Sequence, residues 1–262
     1  MINEHVLASG MRVWTAHPDG APPRPAVILL HERYGPVRHT WNLLERLARD
    51  GYVGCVPDLF HRFTGDRSPI ERGEDRIDPR DDESIADIDE TLAFLRTQNY
   101  VDAGNIGMVG FCLSGRTPLV FASARDGLKA IAVFQGGVYP RDYEPIYPGQ
   151  GNVADYIPRI GCPLLGVFGE ADNLVPLSNV FRMRAQLEEA RRSYWMRIIP
   201  GAQHAWIDST MPTYDPNAAE DSWQTLLAFY RQCFSGEWEG PGITWRFEAG
   251  LSAGFDTAAF QR

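Results

Sequence analysis

The stretch Ile106-Gly-Met-Val-Gly-Phe-Cys-Leu-Ser-Gly-Arg116 decides how the rest of this sequence is interpreted. A mostly apolar run leads into Gly-Phe-Cys-Leu-Ser-Gly, which is typical of a buried strand that turns sharply into a helix. Such a turn presents its central side chain at the end of a sheet, and it needs small residues two positions to either side because the backbone is closely approached there. Gly110 and Ser114 meet this need around Cys112. The rival nucleophile Ser114 would be flanked by Cys112 and Arg116, and Arg116 is too large, so the pattern favours Cys112.

The position of Cys112 also has chemical meaning. A thiol at a helix N-terminus faces unpaired N–H groups and the positive end of the helix dipole, which stabilise a thiolate. The alternative is a buried cysteine that acts as a small hydrophobic residue, which is the usual role of a lone cysteine. A choice between the two needs a base, an acid and an oxyanion pocket elsewhere in the chain.

The bulk composition excludes several classes of function. The 262 residues are 44% hydrophobic and 23% charged, as in an ordinary soluble globular protein. The net charge of −9 argues against a nucleic-acid or anionic-membrane partner, because both require a basic surface. Apolar runs such as Ala26–Leu30 are too short to span a bilayer, and no secretory signal is recognisable after Met1.

The cysteines indicate a reducing compartment and no metal. Cys55, Cys112, Cys162 and Cys233 are widely scattered, without a CxxC or Cys/His metal-binding spacing. We therefore expect no metal and no cofactor. The simplest interpretation is a cytoplasmic protein with three structural thiols and one reactive one.

Buried apolar runs alternate with amphipathic helical patterns along the chain. Continuous apolar strands are typical of a mostly parallel sheet covered by helices on both faces. We expect a single domain over residues 1–262, with a core over about 11–235 and a C-terminal extension over about 236–262. The predicted strands are 11–16 (at an edge), 25–31, 52–56, a strand from 106 to the turn, 129–135, 163–168 and 195–199 (the last of the sheet). The predicted helices are 37–50, 81–98, one from the turn to about 124, 176–191 and 215–234.

Three segments leave alternatives open. Residues 59–80 are polar and irregular, and they form either a solvated loop or, in their first few residues, a wall of a site mouth. Residues 138–158 are rich in Tyr, Pro and Gly, and they form either a lid or a long connection. The alternating tail segment Ile243–Phe247 packs on its own domain or on a second subunit, so a homodimer is one arrangement that the sequence leaves open.

Polar side chains follow four of the predicted strands: Glu32, Cys112, Asp172 and His204. In open α/β sheets, reactive groups gather at the carboxyl ends of strands. His204 can exchange a proton with a thiol near neutral pH, and Asp172 can hold the imidazole in one tautomer. The alternatives are that His204 is an ordinary turn histidine, that Asp172 only caps the next helix, and that Glu32 only pairs with a neighbouring arginine. Glu170 is a competing acid.

At these segments the chain resembles the dienelactone hydrolase family, whose members are cysteine hydrolases. The resemblance covers roughly residues 25–235. It is carried by His31-Glu32-Arg33-Tyr34-Gly35, Pro57-Asp58-Leu59, Gly110–Gly115, Gly169–Pro176 and Gly201-Ala-Gln-His204.

The resemblance implies an α/β-hydrolase fold and a set of roles. Cys112, His204 and Asp172 would form a catalytic triad, and Glu32 would be a carboxylate that contacts the thiol. The oxyanion pocket would use the backbone N–H groups of Leu113 and Arg33, and the substrate would contact Tyr34 and Trp206. In the family, an arginine shortly after the triad histidine helps to hold a substrate carboxylate. Here that run contains Asp208 instead, so anionic lactones are expected to be poor substrates.

The sequence thus predicts a cofactor-independent hydrolase that cleaves an ester or lactone of a small molecule through a thioester intermediate. One rival from another class is a non-catalytic binding protein with the same cleft. A second rival is a redox-responsive thiol protein in which Cys112 is oxidised instead of acylated.

Overall fold

A nine-stranded sheet runs through the part of the chain that the structure, a computed structural model, describes: residues 1–20, 22–238, 242–250 and 252. The strand order is β1-β2-β4-β3-β5-β6-β7-β8-β9. Pairs β1/β2 and β2/β4 are antiparallel, and the remaining pairs are parallel. The strands are β1 (Asn3–Val6), β2 (Arg12–Ala16), β3 (Arg24–Leu30), β4 (Val53–Pro57), β5 (Val101–Phe111), β6 (Ala130–Phe134), β7 (Leu164–Gly169), β8 (Tyr194–Ile199) and β9 (Trp245–Ala249).

Helices cover both faces of this sheet, as predicted. The α-helices are α1 (Arg38–Arg49), α2 (Ser68–Glu71), α3 (Asp81–Thr97), α4 (Arg116–Ala124), α5 (Pro140–Tyr143), α6 (Val153–Tyr156), α7 (Leu177–Glu189) and α8 (Pro216–Phe234), and short 3₁₀ helices span Cys112–Gly115 and Ile157–Arg159. Helices α1 and α8 pack in one apolar cluster, and α3, α4 and α7 pack in the other. No helix among the described residues is long and apolar enough to cross a membrane.

The central strands explain why the sheet is parallel. The apolar residues of β3 from Ala26 to Leu30, and those of β5 from Ile106 to Phe111, are buried. Strands with apolar side chains on both faces are stable only between two helical layers. Their carboxyl ends, at Leu30 and Phe111, lie at the same edge of the sheet, and this edge carries the candidate site.

The structure corrects the two predicted sheet edges. The strand at 11–16 is not an edge strand, because β1 pairs outside it. β1 could not be recognised, since its four residues are mostly exposed and form no apolar run. Likewise β8 is not the last strand, because the tail forms β9 beside it. The tail therefore packs on its own sheet, although residues 239–241, 251 and 253–262 of the predicted extension lie outside the described residues.

The two irregular segments contain short helices instead of continuous loops. Residues 59–80 include α2. Residues 138–158 include α5 and α6, and their side chains Tyr139, Tyr143 and Val153 are buried in the core. Arg116 ties this segment down, because its guanidinium donates to the carbonyl oxygen of Gly151 at 2.5 Å and lies 3.6 Å from Asp142. These contacts favour the connection over the lid.

Candidate active site

The turn between β5 and α4 has the strained backbone that the sequence pattern predicts. Cys112 has a φ of +48°, a left-handed conformation that is uncommon for a residue with a side chain. A Cβ added at Gly110 would clash with the carbonyl of Ser114, and one added at Gly136 would clash with the carbonyl of Cys112. Glycine is therefore required on both sides of the turn, in β5 and in the loop after β6.

Ser114 has a structural role. Its side chain is buried, and its hydroxyl lies 3.0 Å from the carbonyl oxygen of Phe111 and 3.3 Å from that of Leu30. The same oxygen accepts a hydrogen bond from the N–H of Phe111 at 3.2 Å. The hydroxyl thus closes the turn from inside. Ser114 thus stabilises the turn through its hydroxyl, in addition to being small enough for the position.

Cys112, His204 and Asp172 form one continuous chain of contacts. Cys112 Sγ lies 3.2 Å from His204 Nε2, and His204 Nδ1 lies 2.8 Å from Asp172 Oδ2. Asp172 Oδ1 accepts hydrogen bonds from the N–H groups of Leu174 and Val175 at 2.8 and 3.1 Å. Because these two bonds hold Oδ1, the other carboxylate oxygen, Oδ2, is fixed toward the imidazole.

The surroundings of His204 favour the protonated form of its imidazole. Burial lowers the pKa of His204, but its hydrogen bonds to Asp172 and Cys112, and their charges, outweigh burial and raise the pKa to about 10. The imidazole beside these two groups is therefore protonated over the neutral range.

Glu170, the competing acid, has other partners. Its carboxylate accepts hydrogen bonds from the N–H of Gly201 at 2.6 Å and from Ser252. Asp172 is thus the carboxylate that contacts His204.

Glu32 lies near this chain, but it makes no contact with the thiol among the hydrogen bonds of the described residues. Its carboxylate is buried and accepts a hydrogen bond from Gln135 Nε2 at 2.9 Å. Burial raises the pKa of Glu32, against the lowering effects of His39, His204 and Gln135. The expected contact between Glu32 and Cys112 is therefore replaced, because the Gln135 amide holds the carboxylate.

Two residues that the sequence analysis did not assign complete the surroundings of the thiol. Gln135 is fully buried with a φ of +45°, and its Oε1 accepts a hydrogen bond from the N–H of Ala205 at 2.8 Å. Tyr139 donates from its hydroxyl to Cys112 Sγ at 3.3 Å. Gln135 follows a buried strand, as Cys112 and His204 do. Its place after a strand was the sequence feature from which it could have been assigned to the site.

Trp206 does not contact the site. Its indole is fully buried in the cluster beneath α8, and its Nε1 donates to the hydroxyl of Ser222 at 3.1 Å. Ala205, with a φ of +65°, reverses the chain between His204 and Trp206. The indole therefore supports the histidine loop from below, where a substrate cannot reach it.

The segment after Glu32 lies near enough to Cys112 for the two to interact electrostatically. Tyr34 is half-buried, and burial raises its pKa together with the negative charges of Glu32 and Cys112. The guanidinium of Arg33 donates to the carbonyl oxygens of Gly73 and Asp75 at 3.0 and 3.3 Å. Its side chain thus joins this segment to the loop that follows α2.

Asp208 is buried and does not offer its carboxylate to a bound substrate. It is buried 3.3 Å from His39 Nδ1, and its Oδ1 also accepts from the N–H and the hydroxyl of Thr210 at 2.8 and 2.7 Å. Glu32, His39 and Asp208 offer potential metal-ligand atoms within 4.8 Å of one another. However, both carboxylates already accept hydrogen bonds, so we interpret the group as a hydrogen-bonded cluster and not as a metal centre.

The positive charge of Arg76 interacts with the negative charge of Cys112. Burial lowers the pKa of Arg76, but Asp78 and the negative charges of Tyr147 and Cys112 outweigh burial and raise it. Its guanidinium forms a two-pronged ion pair with Asp78 and lies 5.2 Å from the ring centre of Tyr147. Asp78 thus orients an arginine whose charge reaches the site.

Comparison with known proteins agrees with this geometry. The model of the "Dienelactone hydrolase family" matches residues 11–234. The proteins named "Putative carboxymethylenebutenolidase" from Methylorubrum extorquens and Escherichia coli K12 are 27% and 29% identical, over 84% and 80% of this chain and 76% and 78% of their own lengths. The crystal structure titled "Putative Dienelactone Hydrolase" from Klebsiella pneumoniae is 28% identical and superposes with a TM-score of 0.80, covering 88% of this chain and 98% of that one. The chain belongs to the dienelactone hydrolase family, and it is an ester or lactone hydrolase of the α/β-hydrolase fold.

Proposed function

We propose that this protein hydrolyses a small ester or lactone through a Cys112–His204–Asp172 triad and a thioester intermediate. The observation that carries the proposal is the chain of contacts from Sγ through both imidazole nitrogens to the carboxylate, at 3.2 and 2.8 Å. The raised pKa of His204 supports a thiolate–imidazolium pair in the free enzyme. A thiolate is the reactive form of cysteine.

In the first half of the reaction the thiolate attacks the substrate carbonyl carbon. The carbonyl π electrons move to oxygen, and the backbone N–H groups of Leu113 and Arg33 are proposed to stabilise this oxyanion. The tetrahedral intermediate then collapses, and the bond from carbon to the alkoxy oxygen breaks. His204 Nε2 gives its proton to that oxygen, which leaves a thioester on Cys112 and a neutral imidazole. With a lactone, the alcohol stays attached to the acyl group.

The second half uses the same groups in reverse. Neutral His204 takes a proton from a water molecule while the water oxygen attacks the thioester carbon. The second tetrahedral intermediate expels the sulfur as a thiolate, so the acid product leaves and the starting ion pair is restored. Asp172 keeps Nδ1 protonated throughout, which leaves Nε2 free to exchange the reacting proton.

Gln135 and Glu32 would hold the histidine loop in place. Gln135 accepts from the N–H of Ala205, next to His204, and donates to the buried Glu32. This chain fixes the histidine loop relative to the end of β3. Glu32 acts in this scheme as a positioning residue.

The first substrates to assay are lactones that carry a carboxylate. The relatives' printed name, carboxymethylenebutenolidase, describes such a compound. Arg76, whose charge reaches the thiol, could attract that carboxylate, and Asp208 is buried against His39 and would not repel it. The free state of all four cysteines fits a reducing compartment such as the cytoplasm.

The test is hydrolysis of a chromogenic short-chain ester by wild type, Cys112→Ala and the control Cys162→Ala. We expect Cys112→Ala to lose all measurable turnover and Cys162→Ala to keep it. Wild-type protein that binds esters without turnover would favour the binding-protein alternative. Reversible sulfenic acid formation at Cys112 without any esterase activity would favour the redox alternative.

A further inference from the structure

The hydroxyl of Tyr139 contacts the sulfur of Cys112, and the mechanism described so far does not use this contact. Its oxygen lies 3.3 Å from Cys112 Sγ and 3.1 Å from the carbonyl oxygen of Gln135. The side chain is buried, with 3% of its surface exposed. One phenolic hydrogen therefore has two acceptors within reach, the sulfur and a backbone carbonyl.

The direction of the hydrogen bond follows from the surroundings of the phenol. Burial raises the pKa of Tyr139 well above its ordinary value, and the neighbouring negative charge of Cys112 raises it further. The phenol therefore keeps its proton over the whole range in which the enzyme can work, so it donates to a thiolate.

The phenol is held in place by the protein, so its contact with the sulfur does not depend on a substrate. The backbone N–H of Tyr139 donates to Asp142 Oδ2 at 2.9 Å, and the guanidinium of Arg141 lies 4.1 Å from the centre of the ring. Asp142 is in turn 3.6 Å from the buried guanidinium of Arg116, which follows the cysteine turn. The loop that carries Tyr139 is thus tied to α4, the helix that follows Cys112.

We propose that Tyr139 is a catalytic residue: its hydroxyl stabilises the Cys112 thiolate in the free enzyme and turns to the carbonyl of Gln135 when the sulfur is acylated. The role rests on the proposed function, because it matters only if the sulfur changes charge during the reaction. A thiolate is a strong acceptor, whereas a thioester sulfur is uncharged and a weak one. With the carbonyl at 3.1 Å, the hydroxyl keeps an acceptor in both states.

This contact has a defined effect on each half-reaction. It increases the fraction of thiolate that is available to attack, and it stabilises the sulfur again when the thioester breaks. A hydrogen bond to a charged group is worth enough to move the pKa of the thiol by about one to two units. Loss of the hydroxyl should therefore raise the thiol pKa by this amount.

Tyr139→Phe tests the proposal, with Tyr143→Phe as a matched control. Tyr143 is equally buried, in the same segment, and its hydroxyl donates to Gln186 Oε1 at 3.1 Å, away from the sulfur. The rate of alkylation of Cys112 by iodoacetamide, followed by mass spectrometry across a pH series, gives the thiol pKa as the midpoint. Burial raises the pKa of each of the other three thiols, so they do not titrate in the same range.

We expect the midpoint to rise by about one to two pKa units in Tyr139→Phe and to stay unchanged in Tyr143→Phe. An unchanged midpoint in Tyr139→Phe, or an equal rise in both variants, overturns the proposal. If Tyr139→Phe does not fold, replacing Tyr139 by a ring-fluorinated tyrosine, a stronger donor, should lower the midpoint, and no change would overturn the proposal. The alkylation midpoint does not depend on ester turnover, which the Cys112→Ala variant tests. A failure of the proposed hydrolysis is therefore distinguished from a failure of this contact.

Discussion

The substitution Asp172→Asn removes one charge from the site while keeping the shape of the side chain. Asp172 Oδ1 is committed to the N–H groups of Leu174 and Val175, and Oδ2 faces His204 Nδ1 at 2.8 Å. In the variant, the amide oxygen must take the place of Oδ1, because an NH₂ group there would meet two donors. The NH₂ group is then forced toward Nδ1, and the imidazole must place its proton on Nε2, where the base is needed.

The expected loss is large and can be separated from misfolding. Loss of the orienting carboxylate in a triad lowers kcat by about 10⁴-fold, or about 5.4 kcal/mol of transition-state stabilisation. We expect a loss of about 10³- to 10⁴-fold in kcat for a chromogenic ester, against a change of less than about threefold for the control Glu170→Gln. Glutamine at 170 can still accept the hydrogen bond from Gly201. A loss below about tenfold for Asp172→Asn, or equal small losses in both variants, would refute the assignment of the acid.

The same substitution should also change stability in a pH-dependent manner. The folded-state pKa of His204 is raised to about 10, above its ordinary value of 6.5. The resulting stabilisation is therefore fully present below the unfolded-state pKa and is lost as the pH rises through the folded-state pKa. Asp172→Asn should lower the free energy of unfolding most below the unfolded-state pKa of 6.5, and the difference from wild type should shrink as the pH rises from there to about 10. Urea unfolding across this pH range measures it.

Three further predictions address the thiol, the buried carboxylate and the substrate charge. Alkylation of Cys112 should abolish ester hydrolysis, whereas modification of the other three cysteines should not; turnover by protein shown to be fully modified at Cys112 would contradict this. Burial raises the pKa of Glu32, so its ionisation destabilises the wild type as the pH rises through that pKa. The free energy of unfolding of Glu32→Gln relative to wild type should therefore increase with pH, and a difference independent of pH would argue against a buried carboxyl. Arg76→Gln should lower kcat/KM for an anionic lactone relative to its methyl ester by about fivefold, the upper end for a partly exposed ion pair, whereas Asp208→Asn should leave that ratio unchanged. An unchanged ratio in Arg76→Gln would assign the carboxylate to another group.

The sheet could be predicted wherever a strand is buried on both faces. Runs such as Ala26–Leu30 and Ile106–Phe111 are apolar without interruption, because helices cover them above and below. β1 could not be predicted, since only its pairing with β2 makes it a strand. The alternation of residues 243–247 indicated packing, but the partner, β8, is about 50 residues away in the chain and was not encoded locally.

The positions of the site residues along the chain could be predicted more readily than the directions in which their side chains point. Strand ends located Cys112 and His204 because every parallel strand delivers its end to one edge of the sheet. The reversal at Ala205 sends Trp206 into the core, and no local pattern reveals that direction. In the same way, the segment with Tyr139 was recognised only as aromatic, since its contact with the sulfur depends on how the loop after β6 crosses the turn at Cys112.

The central claim is that the sulfur of Cys112 becomes acylated during turnover. Acid quenching of the enzyme within the first turnovers of an activated ester, followed by peptide mass spectrometry, tests it most directly. The account predicts the mass of the acyl group on the peptide that contains Cys112, in a thioester that hydroxylamine removes. An acyl group on Ser114, or steady turnover with no acyl-enzyme at Cys112 in the wild type and undiminished activity in Cys112→Ala, would contradict it.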